Sequence, residues 1–420
     1  RFFNLPWRRL GVGSFDFSHP ERHDCWNQRD FMHPEAGVVA RPSRLRAGAK
    51  TRFVILLFFM VCPLAVFATI SLTKSPLFAF AFVWWFGVWY ELHMTHIKAL
   101  PTINGKPTRL RKRSMLAFFM SSVVMLISAK YAWYIIVLAL ILALLNDRKR
   151  WKTYVVTLLL PTVLIHGGIV FLADSGAIIS GDPIESRGIQ LQQIARVAKY
   201  NPQGIPADAA SKLEPIFNLD QMADAYYQQD ADPVKSSGIQ SKKVSYKWRT
   251  VTKEDMENFN KAWLEIVKAN PVIALDAFFA ECFGYFDVAD LPYVSMDYYV
   301  NNDYVQEDND WIHLYNHEWR DTVADFAKQW GKIPVFGWLV HGNLYVTLTL
   351  LIGAAEVVLR RWRSLSWHLP LLLLMGVMIT APANNFERHM LPVAFVFGFL
   401  CLQFWRESRR QRHTAMPAGS

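Results

Sequence analysis

The chain has 420 residues, of which 52% are hydrophobic, 14% aromatic and 19% charged, against roughly 25% charged in an ordinary soluble domain. Mean hydropathy is only +0.12, so the apolar residues are gathered into segments, and several of these are long enough to span a bilayer. That pattern excludes a string of soluble domains and predicts an all-α integral membrane protein.

The net charge of +10 is unevenly placed: residues 174–334 hold 25 acidic and 15 basic side chains, the remainder 10 and 30. Basic residues concentrated in short loops between apolar runs mark cytoplasmic loops. No basic stripe is interleaved with aromatics as a nucleic-acid surface requires, so nucleic acid is excluded as a partner. Of Cys25, Cys62, Cys282 and Cys401, only Cys282 falls within 174–334, and no disulfide is expected there. The chain has no Walker loop, dinucleotide fingerprint, nucleophile elbow or CxxC pair, which leaves ATP-driven transport and soluble redox chemistry without support.

Residues 1–52 read as a polar, basic cytoplasmic region. With about 20 apolar residues needed per helical crossing, spans are expected at 53–72, 76–92, 115–129, 132–146, 153–173, 335–358, 366–383 and 389–405. The third and fourth are divided only by Lys130-Tyr131. Loop charge decides that they are two: with eight spans, the basic clusters at 44–52, 98–113, 148–152, 360–363 and 406–412 all fall on one side. The expected architecture is therefore about eight transmembrane helices, five in 53–173 and three in 335–405. A large, mainly helical external segment, 174–334, separates the two groups, and 406–420 forms a cytoplasmic tail.

Within the external segment, 184–199 has the pattern of an amphipathic helix suited to lying on a membrane surface. A second helix is expected at 256–269, stopped by Asn270-Pro271. A third, 272–285, is apolar enough to pack on the bundle or to dip into the interface.

Several residue sets can carry chemistry. In Glu185–Arg196, Arg187 and Arg196 are able to fork onto the oxygens of a lipid-linked phosphate, with Gln190 and Gln193 beside them; a solvated helix face is the other reading. Asp232, in Asp230-Ala231-Asp232-Pro233, is a turn former or a catalytic carboxylate. The acidic-aromatic run 286–311 offers Tyr298 and Trp311 to sugar rings. Its Asp303, Glu307, Asp308 and Asp310 can gather a divalent cation, unless the run is a solvated acidic loop. His313 and His317 are four apart, but Leu314 stands where the metalloprotease pattern needs Glu, and no metal site is assigned. Lys74 and Glu387-Arg388-His389 lie at span boundaries, where a charge either snorkels or serves a polar cavity. His166 and His341 line the same cavity or bond within the bundle.

Glu185–Arg196, Tyr226 through Asp232-Pro233-Val234-Lys235, and Trp263–Tyr285 with Asn270-Pro271 and Phe283-Gly284-Tyr285 resemble an uncharacterised bacterial multi-pass membrane family, domain of unknown function 6020. Its architecture in turn resembles the GT-C superfamily of polyprenyl-phosphate-sugar glycosyltransferases. The Thr73-Lys74 turn and Phe386-Glu387-Arg388-His389-Met390-Leu391-Pro392 are similar to boundary motifs of such enzymes. The resemblance implies a bacterial plasma-membrane protein of cell-envelope polysaccharide assembly, with 174–334 extracytoplasmic. Its implied partners are membrane lipid, a polyprenyl-phosphate-linked sugar and a cell-surface glycan, with no organic cofactor. Lys74, Arg187, Arg196 and Arg388 then take the donor phosphate, and Gln190, Gln193, Asp232, Tyr298 and Trp311 the sugar or acceptor. The catalytic acid of these enzymes lies in a first external loop, reduced here to 73–75, so the resemblance also implies an N-terminally truncated chain and leaves the base unassigned. A non-catalytic membrane protein stays open as the alternative: a polymerase accessory, a flippase-like transporter or a sugar sensor.

Overall fold

Apolar runs and the residues that interrupt them decide where each helix begins and ends. The computed structural model describes residues 49–70, 74–96, 112–178, 183–235, 252–288, 317–362, 364–380 and 387–415. Among these there is no β-strand, so the all-α expectation stands. The first expected span arrives as two helices, α1 (Ala49–Val61) and α2 (Pro63–Ile70). Pro63 has no amide proton to continue α1 and takes the first position of a new helix instead. Then follow α3 (Lys74–His96), α4 (Lys112–Ser128) and α5 (Ala132–Asn146), the last two joined by the short turn at Lys130-Tyr131. The rod α6 (Arg148–Asp174) carries a π turn at Val155–Leu159, just ahead of Pro161, whose ring disturbs the preceding α-helical turn.

Two ends of the bundle can be told apart. At one, Glu91 accepts from Ser114 at 3.0 and 2.9 Å, Arg150 donates to the carbonyl of Leu92 at 2.9 Å, and the rings of Tyr90 and Trp367 lie 5.2 Å apart. The basic residues Arg148, Lys149, Arg150 and Arg361 gather at this end. At the other, Phe78 meets Tyr131 at 5.1 Å and the thiol of Cys62 donates to the carbonyl of Leu339 at 3.5 Å.

The segment between α6 and the last helices has its own core. It holds α7 (Gly188–Tyr200), α8 (Ala207–Leu213), α9 (Leu219–Ala225), α10 (Asp232–Lys235), α11 (Lys253–Ala269), α12 (Pro271–Cys282) and α13 (His317–Gly331). Helix α11 starts at a capping box in which Thr252 and Asp255 satisfy each other's backbone amides, both at 3.0 Å. The amphipathic helix expected on the membrane surface is α7, and that expectation is corrected. Leu191, Ile194, Ala195 and Val197 are buried among Phe217, Met222, Phe259 and Ile266, so its apolar stripe is already covered by protein.

The chain returns through α14 (Gly342–Val358), α15 (Leu365–Thr380) and α16 (Glu387–Ala415). The expected eight spans are also corrected to a coarser statement. Among the described residues, Arg148–Asp174 and Arg388–Arg409 are long and apolar enough to cross a membrane, while α5, α14 and α15 are apolar but shorter. At 15, 17 and 16 residues, they reach only about 22–26 Å at about 1.5 Å per residue. The outward faces of these helices are nonetheless apolar. Leu138, Ile141 and Leu145 on α5 and Val163, Leu164 and Phe171 on α6 are all exposed, a pattern foreign to soluble bundles.

Candidate functional site

The two cores meet along α12. Its first half packs Ile273 on the external core, whereas Phe278, Cys282, Tyr285 and Phe286 belong to the bundle. Past Cys282 the chain tightens into the 3-10 turn Phe283–Tyr285. There its carbonyls are captured by the start of α14. Asn343 donates to the carbonyls of Gly284, at 3.2 Å, and Asp287, and Thr347 donates to that of Phe286 at 3.1 Å. His341 bridges the carbonyls of Val288 and Gly331, each at 3.0 Å. The start of α16 is held against α14 because Gly342 has no side chain: a Cβ there would stand 2.8 Å from Cβ of Met390.

That clamp places a cluster of polar groups at the bundle end facing the external segment. The Tyr285 hydroxyl is 2.9 Å from Nδ1 of His389, and the Tyr131 ring stands edge-on to His389 at 6.5 Å. Burial raises both phenols well above their ordinary range, and the nearby Arg388 guanidinium opposes it. Both stay protonated, so Tyr285 keeps a hydroxyl proton to share with His389. One turn back on α12 lies Glu281, 2% exposed, with Oε2 buried and without a hydrogen-bond partner. Burial pushes its carboxyl up to about 8, against the opposing pull of Lys235. A buried acid raised this far, one turn from a Tyr–His pair, is able to accept and return a proton.

The residues singled out from sequence divide into three groups. Lys74 opens α3, exposed, one turn from Phe78, and Arg388 is half-buried in the first turn of α16. Both therefore stand at the cluster's end of the bundle. Helices α7 and α12 run antiparallel, tied by Asn201 to Asn270 at 2.8 Å and Gln193 to the carbonyl of Ala274 at 3.0 Å. This puts Arg187, whose buried Nε has no partner, at the Glu281 end, with the half-buried Gln190 one turn into α7.

In the second group the side chains are already engaged. Gln193 also accepts from Trp263 Nε1 at 2.7 Å, so both ends of its amide are used. Arg196 donates to the Tyr226 hydroxyl at 2.6 Å, pairs with Asp276 and lies over the Tyr200 and Tyr226 rings. Asp232 pairs with Lys235 at 2.8 Å on the surface, and Lys235 reaches Glu185 at 3.7 Å.

Tyr298, Trp311, His313 and the candidate cation ligands Asp303, Glu307, Asp308 and Asp310 lie outside the described residues. Among the described residues, no three His, Cys, Asp or Glu side chains gather as metal ligands. Sequence reasoning missed Glu281, Tyr285 and Tyr131. The signal for Glu281 was present: it is an acid inside Ala277-Phe278-Phe279-Ala280-Glu281-Cys282-Phe283, where an unpaired charge is costly.

No curated protein and no solved structure matches the chain. With a match that runs from residue 1 to residue 417, the chain belongs to a family of unknown function, DUF6020.

Proposed function

We propose that the chain is a GT-C-like membrane glycosyltransferase of the bacterial cell envelope, taking a sugar from a polyprenyl-phosphate donor, with Glu281 as its proton acceptor. The observation that carries this reading is Glu281 itself: a buried carboxyl with an unpartnered oxygen, one turn from Tyr285, which meets His389 and lies in the field of Arg388. In the transfer, an acceptor hydroxyl gives its proton to the Glu281 carboxylate and its oxygen bonds to the anomeric carbon. The carbon–oxygen bond to phosphate breaks with its electron pair on the phosphate, where Arg388 and Lys74 meet the growing charge.

In this reading the helices of 53–173 and 335–405 make eight crossings, 1–52 and 406–420 are cytoplasmic, and 174–334 is extracytoplasmic. Its support is the gathering of basic residues at the end away from the cluster, together with the apolar outward faces of α5 and α6. Cysteine at Lys261, exposed on α11, reacts with an impermeant thiol reagent in intact cells if the topology is right; reaction only after lysis overturns it.

The transfer is tested by supplying membranes with a radiolabelled polyprenyl-phosphate sugar. Glu281→Gln and Arg388→Ala each abolish transfer to envelope glycan at unchanged abundance, and the wild-type rate rises with pH towards about 8 as the carboxylate forms. Full transfer by Glu281→Gln removes Glu281 from the reaction. One observation favours the non-catalytic alternative: Glu281 is almost fully covered, and Gln193 and Arg196 are committed to internal pairs. The cluster is then a rigid joint in an accessory, transport or sensing protein, and both variants keep wild-type polymer levels.

A further inference from the structure

Helix α12 has one face that no described part of the protein covers. Val272, Leu275, Phe279 and Phe283 are 78, 56, 56 and 37% exposed, and their spacing of three, four and four residues makes a single stripe along the helix. The opposite face, with Ala274, Ala277, Glu281 and Cys282, is buried. A second uncovered set lies in the stretch leading into α14. Ile333, Val335, Phe336, Trp338 and Leu339 are all exposed, and Val335 holds a positive φ of 67°. That conformation disfavours a β-branched residue, and glycine or asparagine would suit it better in water.

The end of α12 and the 333–339 stretch are fixed to one level of the bundle. His341 joins the chain just after α12 to the end of α13, Asn343 holds the 3-10 turn, and Cys62 bonds to Leu339. Between Phe279, Phe283 and Phe286 of this region and Ile379 in the last turn of α15 runs an open groove of about 550 Å³. The stripe is thereby continuous with the apolar flank of the bundle. Neighbouring α11 exposes mainly charged residues, including Glu254, Glu257, Lys261 and Lys268, with Leu264 beside them, and Trp319 and Phe326 are exposed on α13. Exposed apolar surface on this scale marks an interaction site, and an apolar helix face beside spanning helices finds its partner in the bilayer boundary.

We propose that α12 and the 333–339 stretch rest in the acyl-chain boundary of the membrane that the bundle occupies, so that the external segment is seated on lipid along this edge. Leu275, Phe279 and Phe336 then contact phospholipid tails, and the groove against Ile379 is filled by a tail. This surface is independent of the transfer chemistry and of Glu281.

The test uses the full chain in phospholipid nanodiscs, with single spin labels at Leu275→Cys, Phe279→Cys and Phe336→Cys, and Lys261→Cys as the aqueous reference, in a background lacking the native cysteines. Collision with oxygen relative to a water-soluble nickel chelate is expected to be several-fold higher at the three apolar positions than at Lys261. A ratio equal to that at Lys261 overturns the proposal. So does low collision with both reagents, which means that a second copy or residues 289–316 cover the stripe. A second measurement leaves the sequence untouched: phospholipid with a photoactivatable acyl chain is expected to label peptides 272–283 and 333–339. Labelling confined to the bundle helices overturns the proposal.

Discussion

Replacing Glu281 by Gln separates the physical state of the cluster from any activity. The carboxyl is 2% exposed and burial raises it from an ordinary 4.5 to about 8. Over that window the folded chain keeps a proton that the unfolded chain has released. Stability is therefore full below pH 4.5, falls as pH rises, and has lost the whole contribution above pH 8. At about 1.4 kcal/mol per unit, the loss approaches about 5 kcal/mol as an upper bound, since water reaching the ionised group reduces it. Glutamine has the shape of the protonated acid and does not titrate. Near pH 5 the variant should lie within about 1 kcal/mol of wild type, because one neutral hydrogen-bonding group replaces another. Thermal unfolding of both proteins in nanodiscs, followed from pH 5 to pH 9, reads the difference directly: the wild-type midpoint declines relative to a flat variant. Parallel pH profiles would refute the burial argument, as would a variant already several kcal/mol weaker at pH 5.

Three further substitutions probe the scaffold. Gly342→Ala places a methyl 2.8 Å from Cβ of Met390, so the starts of α14 and α16 must separate, at a cost of about 1–3 kcal/mol; a lowered midpoint is expected, and an unchanged one contradicts the close approach. Arg361→Ala leaves Glu356 buried without its partner at 3.6 Å, both side chains being under a tenth exposed. A loss of about 3–5 kcal/mol is expected, and Glu356→Gln in the same chain should restore most of it. Phe259→Ala empties a fully buried position in the external core and should cost about 3–5 kcal/mol, seen as early proteolysis within 183–288 while the bundle helices stay protected.

The helices were legible where their punctuation is chemical: Asn270-Pro271 and the Lys130-Tyr131 turn each mark a boundary that the structure keeps, whereas Pro63 divides what read as one span. The partner of each face was not. The stripe of α7 carries the same periodicity whether it meets lipid or Phe217 and Phe259, because periodicity states that a face is covered and not by what. Arg196 read as a phosphate ligand for the same reason: its complement, Asp276, is 80 residues away in sequence and meets it only through the antiparallel pairing of α7 and α12. Glu281 shows the reverse failure. An acid in an apolar run signals a costly group, but its neighbours Tyr285 and Cys282 and the field of Lys235 are known only from the fold.

The position of Glu281 also couples its protonation to the fit of the two cores. Helix α12 is 12 residues long, a rigid strut of about 18 Å with one end in each core. The carboxyl lies in the last turn of that strut, next to the 3-10 turn clamped by Asn343. Any movement that lifts the external segment from the bundle hydrates Glu281, returns it towards an ordinary carboxylate and releases a proton at neutral pH. Reseating then requires taking that proton back, because an ionised carboxylate is far costlier to bury than a neutral acid. By linkage, a carboxyl raised by burial would make separation of the two cores easier at high pH than at low.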